Sequence, residues 1–260
     1  MPAGRVLTVI TALAMATGMA TAMAVPATVH AETTRIPVHV LSQDAKLIGS
    51  GVGGVWVTVT DTATGELLDQ GAHEGATGDT RKIMRLDPRE RDTRLFDTDG
   101  AAVFMAEFDL DEPTVVRISA TGPLGNPDAA MRATTEMLVT PGAEVGGDGV
   151  VLTLHGLNID ILEAAATDAG EPIRVLTNVG MMCGCPLTPG GLWDADSVTI
   201  TARLLRDGDM VAESELAYAG EASRFAGEVT PPEPGAYTLE IIGAQPSKAK
   251  LGHAPLPLAI

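Results

Sequence analysis

Aromatic residues and cysteine are scarce in this sequence. Phe, Trp and Tyr together make up 3% of the 260 residues, and cysteine occurs twice. Two cysteines cannot build the dense disulfide framework of a small secreted scaffold, so that class is excluded. Because aromatic side chains are few, any core must be assembled from Val, Leu, Ile and Ala.

Basic residues are also few. The chain has 17 Lys and Arg against 34 Asp and Glu, which gives a formal net charge of −17 at pH 7. A surface of this sign repels the phosphates of nucleic acids and of anionic membranes, so neither is expected as a partner. It favours solubility, or attraction to cations and basic proteins.

The motifs of common catalytic sites are missing. The sequence has no Gly-x-Ser-x-Gly elbow and no His-x-x-x-His pair. The glycine-rich stretch 49–54 is not followed by the Lys-Ser/Thr of a phosphate-binding loop. We therefore expect that the protein is not an enzyme. If it does catalyse a reaction, we expect thiol-redox chemistry.

The first 31 residues have the organisation of a secretory signal peptide. Arg5 precedes an apolar run over residues 6–25, and Val29-His30-Ala31 forms a small-x-small cleavage site. Export to the periplasm or the medium is predicted, with cleavage after Ala31. No later segment is apolar and long enough to span a bilayer, so no membrane span is expected in the mature chain.

Glycine and proline are abundant, with 29 and 17 residues, and long helical periods are few. This composition favours short strands joined by turns, as in an all-β protein. Residues 55–60, for example, alternate apolar and polar side chains with the period of a strand. Strands are predicted at 36–41, 55–60, from 67, and at 101–106, 113–120, 131–139, 149–154, 173–178, 197–205, 210–218, 224–229 and 237–242.

Two stretches carry resemblances to known modules. The pattern from Val57 through Thr64-Gly65-Glu66 to Asp99-Gly100 and Phe104 resembles transthyretin-like and carboxypeptidase-regulatory-like (Cna-B-type) β-sandwiches. The step Pro234-Gly235-Ala236-Tyr237 before a last strand resembles bacterial Ig-like domains. These resemblances imply two β-sandwich domains after the signal peptide and say nothing about activity.

The expected domain organisation follows from these segments. Residues 1–31 are the signal peptide, 32–162 the transthyretin-like sandwich, 163–172 a linker, 173–245 the Ig-like sandwich and 246–260 a flexible tail. Residues 73–98 show no hydrophobic period and are predicted to form a long mobile loop within the first sandwich.

The most distinctive chemistry lies just after the predicted strand 173–178. Met181, Met182, Cys183 and Cys185 lie within five residues, and the two cysteines are the only ones of the chain. Thiolate and thioether ligands select soft ions such as Cu(I), and Gly184 lets both cysteines converge. Zinc is less suitable, because a closed zinc site takes four ligands and only His253 joins the cysteines in the second domain.

Two other interpretations of the cysteines remain open. An exported protein with an even number of cysteines usually pairs them, and a Cys-x-Cys bridge would close a very small ring that is easily reduced. Alternatively, the cysteines and the Met pair are buried packing residues. Trp193, further along the same loop, is expected to cover the sandwich core.

The resulting hypothesis is an exported accessory or binding protein. Met181, Met182, Cys183 and Cys185 would hold copper(I) or another soft metal ion, and no other cofactor is expected. The alternative is a structural or protein-interaction β-sandwich without catalytic activity, whose cysteines are buried or disulfide-bonded and whose partner is a protein.

Overall fold

Alternating apolar and polar side chains form strands along almost the whole described chain. The computed structural model describes residues 31–85, 90, 92–165 and 171–260, together with Met1 and Gly4. The predicted signal peptide therefore lies almost entirely outside the described residues. The strands, in order, are β1 Glu32–Ser42, β2 Val55–Asp61, β3 Leu67–His73, β4 Phe104–Leu110, β5 Thr114–Gly122, β6 Met131–Val139, β7 Val150–Leu154, β8 Leu157–Ala165, β9 Ile173–Met181, β10 Thr199–Arg206, β11 Asp209–Tyr218, β12 Arg224–Val229, β13 Ala236–Gln245 and β14 Lys250–Ala259.

Strands β1 to β7 form two sheets. One has the order β4–β1–β7, in which β1 runs antiparallel to β4 and parallel to β7. The other is antiparallel, with the order β3–β2–β5–β6. In β2, Val55, Val57 and Val59 are fully buried, whereas Trp56 between them is 41% exposed. This alternation leaves one apolar face per strand for the core between the sheets.

Strands β8 to β14 form a seven-stranded sheet with the order β14–β13–β10–β11–β12–β9–β8. Its two edge strands approach each other, because the sheet curls. A Cβ added to Gly252 of β14 would lie 2.8 Å from the carbonyl oxygen of Leu157 in β8, so only glycine permits this approach. The curled sheet encloses Ile159, Ile200 and Leu239, all buried.

The expected all-β sandwich class is confirmed. The residues Ala31–Ile260 form one compact unit, and buried residues of all three sheets belong to one apolar cluster. The division into two domains stays a prediction. Residues 163–165 of the predicted linker belong to β8, and residues 166–170 lie outside the described residues.

The prediction of a flexible tail is wrong for most of its length. Residues 250–259 are β14, which pairs with β13 from Lys250 opposite Gln245 to Ala259 opposite Ala236. Pro255 and Pro257 suggested a loose segment, but β14 is an edge strand. Proline is tolerated on an edge, because one side of the strand needs no ladder N–H.

The predicted loop at 73–98 contains ordered local structure that the sequence did not predict, while its mobility stays a prediction; residues 86–89 and 91 lie outside the described part. A short helix, α1 Thr80–Met84, begins after Asp79, whose carboxylate accepts from the Lys82 N–H at 2.8 Å. Ile83 and Phe96 are buried in a small apolar cluster with Leu47. Two apolar anchors thirteen positions apart produce no period, so the sequence pattern missed this packing.

The remaining helical segments of the described chain are single 3₁₀ turns: Ser50–Val52, Pro127–Ala129, Ala195–Ser197 and Pro246–Lys248. Among the described residues no helix has the length and apolar character needed to cross a membrane.

Candidate functional site

The cysteines lie in a tight turn, residues 181–185, at the end of β9. The Gly184 N–H donates to the Met181 carbonyl oxygen at 2.7 Å, and the Met181 N–H donates to the Cys185 carbonyl oxygen at 3.0 Å. Gly184 has φ +75°, a left-handed conformation that glycine adopts without strain. The chain therefore reverses between the two cysteines, whose Cα atoms are 5.4 Å apart.

Cys183 and Cys185 are joined by a disulfide. The sequence left open whether the two cysteines are thiols or a disulfide, and the structure contains the disulfide. A metal ligand must be a thiolate, so these sulfurs can bind an ion only after reduction of the bond. Reduction would release two thiols at one point of the chain.

The 181–185 turn is buried. Cys183 and Cys185 are 4% and 6% exposed, and Met181 and Met182 are 1% and 0% exposed. A Cβ added to Gly184 would lie 2.8 Å from a methyl group of Val52, so the turn packs against the 3₁₀ turn Ser50–Val52. The turn therefore lies where the seven-stranded sheet meets the sheets of the first part.

The two methionines predicted as ligands are at identifiable places. Met182 places its sulfur beside Gly156, in the connection between β7 and β8. Met181 lines a cavity together with Leu187 and Trp193. Both side chains start from the turn that carries the disulfide, and both contribute to the apolar core.

The histidines that a zinc site would need have other partners. His253 is exposed and lies 3.2 Å from the Glu240 carboxylate. The Nδ1 of His39 donates to the Asp148 carbonyl oxygen at 2.8 Å. Within the described chain, no three His, Cys, Asp or Glu side chains are grouped as a metal site would require.

His73 is fully buried and its two nitrogens have opposite roles. Nε2 accepts from the Val40 N–H at 3.1 Å, and Nδ1 donates to the Ile48 carbonyl oxygen at 2.9 Å. These partners require the neutral ring. Burial is the main reason that the pKa of His73 falls to about 4, and the neighbouring His39 lowers it further.

A cavity of about 190 Å³ opens beside Met181. Its apolar wall includes Leu187, Leu192 and Trp193. Trp193 is only partly buried, and its Nε1 donates to the Asp44 carbonyl oxygen at 2.9 Å, so it covers this cavity as well as the core. The charged wall consists of Asp44, Asp194, Lys248 and Lys250, with Gln245 and Ser197 next to them.

The lysines of this cavity converge on one carboxylate oxygen. Lys248 Nζ lies 2.7 Å and Lys250 Nζ 3.0 Å from Asp44 Oδ2. Burial tends to raise the pKa of Asp44, but the hydrogen bonds from both lysines outweigh it and the pKa is lowered. Sequence reasoning missed this cluster. The available signal is the Lys-x-Lys spacing in a chain with only four lysines, but it falls in the segment that the sequence predicts as a flexible tail.

No family model matches the chain, and the comparison with curated proteins finds no match either. Among solved structures, the chain is similar to the crystal structure of a DUF3823 family protein from Parabacteroides merdae ATCC 43184 at 1.80 Å resolution. The sequences are 10% identical and the TM-score is 0.28; the match covers 88% of this chain and 100% of that chain. A TM-score this low carries no argument about function.

Proposed function

We propose that the protein is an exported, non-catalytic accessory protein whose 181–185 turn binds Cu(I) when its disulfide is reduced. The observation that carries this proposal is the pairing of the only two cysteines of the chain across a single glycine. The disulfide would then be the resting, metal-free state of the site.

The geometry of the turn suits a soft ion with few ligands. With their Cα atoms 5.4 Å apart, both cysteines can direct their sulfurs at one ion after reduction. Two thiolates and a thioether from Met181 or Met182 would form a sulfur-only ligand set, which selects Cu(I). Zinc would need further ligands, which the described histidines do not supply at this turn.

Reduction and metal loading balance as separate steps. A dithiol or phosphine reductant supplies two electrons, the S–S bond breaks, and two protons from solvent give two thiols. Binding of Cu(I) then releases both protons to solvent, because the ligands are thiolates. The metal itself changes no oxidation state.

The fold can tolerate the reduced state. The disulfide closes a loop of three residues, for which chain-entropy arguments give a contribution of roughly 1.5 kcal/mol. A domain of ordinary size is stable by about 5–15 kcal/mol, so loss of this bond leaves the fold intact. The turn is also held by its backbone hydrogen bonds to Met181.

Export and charge are consistent with such a role. The predicted signal peptide directs the chain out of the cytoplasm. In an oxidising compartment outside the cell or in the periplasm, disulfides persist until a specific reductant acts on them. The chain has 34 acidic and 17 basic residues, and this negative net charge favours the approach of cations. Localisation in the periplasm or the medium is part of the proposal.

We also propose which of the two known module types each group of strands corresponds to. The sheets β4–β1–β7 and β3–β2–β5–β6 would correspond to a transthyretin-like sandwich, supported by the hairpin from Val57 through Gly65. Strands β9 to β13 would correspond to the Ig-like part, supported by Tyr237 at the start of β13. Neither assignment implies an activity.

A second candidate function is an interaction module without a metal. The burial of Cys183 and Cys185, at 4% and 6% exposure, favours this alternative, because a buried disulfide can simply fix a turn. Its partner would be a protein. The same copper titration separates the two functions, since this alternative predicts no metal affinity in either oxidation state.

The test uses the mature protein, reduced with a phosphine under anaerobic conditions and titrated with Cu(I) against a chromophoric chelator. Wild type should compete for Cu(I), and Cys183→Ser/Cys185→Ser should lose this ability. Either Met181→Leu or Met182→Leu, whichever removes the thioether ligand, should weaken binding, whereas Met210→Leu, at an exposed position, is the matched control and should not. If the double cysteine variant competes as well as wild type, the proposal is wrong.

A further inference from the structure

We propose that the cavity beside Trp193 binds a small organic carboxylate, which Lys250 and Lys248 hold by its charge. This goes beyond copper binding and does not depend on it: Met181 lies in the cavity wall, but the lining contains no cysteine and the lysines that would hold the carboxylate are not copper ligands. The ligand class follows from three properties of the cavity: spare hydrogen-bond donors, two ammonium groups that share the carboxylate of Asp44, and an apolar wall of limited size.

Lys250 supplies the buried donors. Its side chain is 3% exposed, and an ammonium group has three N–H donors. Among the described residues its one hydrogen-bonded partner is Asp44 Oδ2, at 3.0 Å. A buried ammonium with unfilled donors is costly unless a further acceptor reaches it from the cavity that it lines.

Two ammonium groups converge on one carboxylate at Lys250. Lys248 and Lys250 share a single carboxylate, that of Asp44, which can neutralise only one of them. The other acid of the lining, Asp194, already accepts from the backbone N–H groups of Gly190 and Asp196, at 2.8 and 3.1 Å. The two lysines and two aspartates of the lining balance in formal charge, so a carboxylate would be held by the ammonium donors that Asp44 leaves unfilled.

The apolar wall and the volume limit the rest of the ligand. Trp193, Leu187 and Leu192 present a surface for a ring or a short chain. A cavity of about 150 Å³ is enough to hold benzene. The cavity here measures about 190 Å³, which leaves space for a carboxylate attached to a body of that size.

The walls are fixed by segments that are distant in sequence. Asp44 has φ +53°, a left-handed conformation that is uncommon outside glycine and that often accompanies functional sites. The bond from Trp193 Nε1 holds the Asp44 carbonyl, while Lys248 lies in the connection between β13 and β14 and Lys250 begins β14. The cavity is therefore formed before any ligand arrives, which favours affinity.

The experiment uses the oxidised, mature protein and two probes, benzoate and its neutral isostere benzamide, followed by tryptophan fluorescence and calorimetry. Benzoate should bind saturably, with a dissociation constant of about 1 mM or lower. An affinity in this range is within reach of a ligand with so few non-hydrogen atoms. Benzamide should bind at least about tenfold more weakly. Its neutral amide oxygen forms a weaker hydrogen bond to an ammonium group than a carboxylate oxygen does. Hexanoate serves as a second, aliphatic carboxylate.

Variants assign the binding to the lysines. Lys248→Met, at a half-exposed side chain, should weaken benzoate binding about tenfold without affecting benzamide. Lys82→Met is the matched control, because Lys82 also pairs with an aspartate at a half-exposed position, and it should leave binding unchanged. Lys250→Met should abolish binding, provided that its circular dichroism spectrum shows the native fold.

Three results would overturn the proposal. The first is the absence of saturable binding by both benzoate and hexanoate up to about 10 mM, well above the expected dissociation constant. The second is equal affinity for benzoate and benzamide. The third is unchanged affinity in Lys248→Met. None of these outcomes bears on the cysteines, so failure here is distinguishable from failure of copper binding.

Discussion

The indole Nε1 of Trp193 donates a hydrogen bond to the backbone oxygen of Asp44 at 2.9 Å, across 149 residues of sequence. This bond connects the loop after the disulfide to the turn that follows β1. Asp44 in turn binds Lys248 and Lys250 through its side chain. One cavity wall is therefore built from three separate segments, and its stability can be tested bond by bond.

Loss of the indole bond should destabilise the fold measurably. Trp193→Phe keeps most of the apolar surface but removes the donor to Asp44, which should lower the free energy of unfolding by about 1 kcal/mol. Trp56→Phe is the control, because Trp56 is 41% exposed on the outer face of β2. Urea titrations of both variants provide the measurement, and equal losses would contradict the role given to the Trp193 bond.

Asp44→Asn should be more damaging than its position near the surface suggests. It leaves the ammonium of Lys250, 3% exposed, without an opposite charge, which should cost about 2 kcal/mol. Asp97→Asn, which breaks the exposed pair with Lys82, should have a much smaller effect. Adding Lys250→Met to Asp44→Asn should recover stability; further destabilisation by the second change would contradict this explanation.

Two glycines of the same loop region separate backbone strain from a side-chain clash. Gly190→Ala places a Cβ in open space at φ +63°, so only the backbone conformation is penalised, by about 1 kcal/mol. Gly184→Ala adds a contact of 2.8 Å with Val52, a stiff branched side chain, and should cost about 2 kcal/mol or more. Thermal or urea unfolding compares them, and a smaller loss for Gly184→Ala than for Gly190→Ala would refute the packing of the turn against Val52.

His73 should make stability depend on pH in mild acid. Its pKa is about 4 in the folded chain and about 6.5 when unfolded, so the unfolded chain takes up the proton first as the pH falls. Its contribution is fully present above the unfolded pKa and is lost as the pH falls towards the folded pKa. The loss should reach at most about 3 kcal/mol between pH 7 and pH 4.

The measurement for His73 is the free energy of unfolding across this pH range. His73→Gln, which has no proton to gain, should show a flatter dependence, although its stability at neutral pH is lower. Parallel curves for wild type and His73→Gln would contradict the buried neutral ring.

The strands were predictable where the signal is local. Val55, Val57 and Val59 alternate with more exposed residues, and that period alone indicates β2. β14 was missed because Pro255 and Pro257 suggest a loop, and only the position of the strand at a sheet edge makes them acceptable. Its edge position is a property of the whole sheet and is invisible in the segment.

The candidate site was predictable only in part, for a related reason. The spacing of Cys183 and Cys185 points to shared chemistry, but it permits thiolates and a disulfide equally, since Gly184 allows both sulfurs to approach. The contact of Lys250 with Asp44 joins residues 206 positions apart. No local pattern encodes such a pair, so the carboxylate cavity emerges only from the folded chain.

The measurement that tests copper binding most directly is the amount of Cu(I) held by the same protein in its two oxidation states. Oxidised and phosphine-reduced samples are exposed to Cu(I) under anaerobic conditions, passed through a desalting column and assayed for copper and protein. We expect one Cu(I) per reduced chain and none in the oxidised sample. Equal copper in both samples, or none in the reduced one, would contradict it.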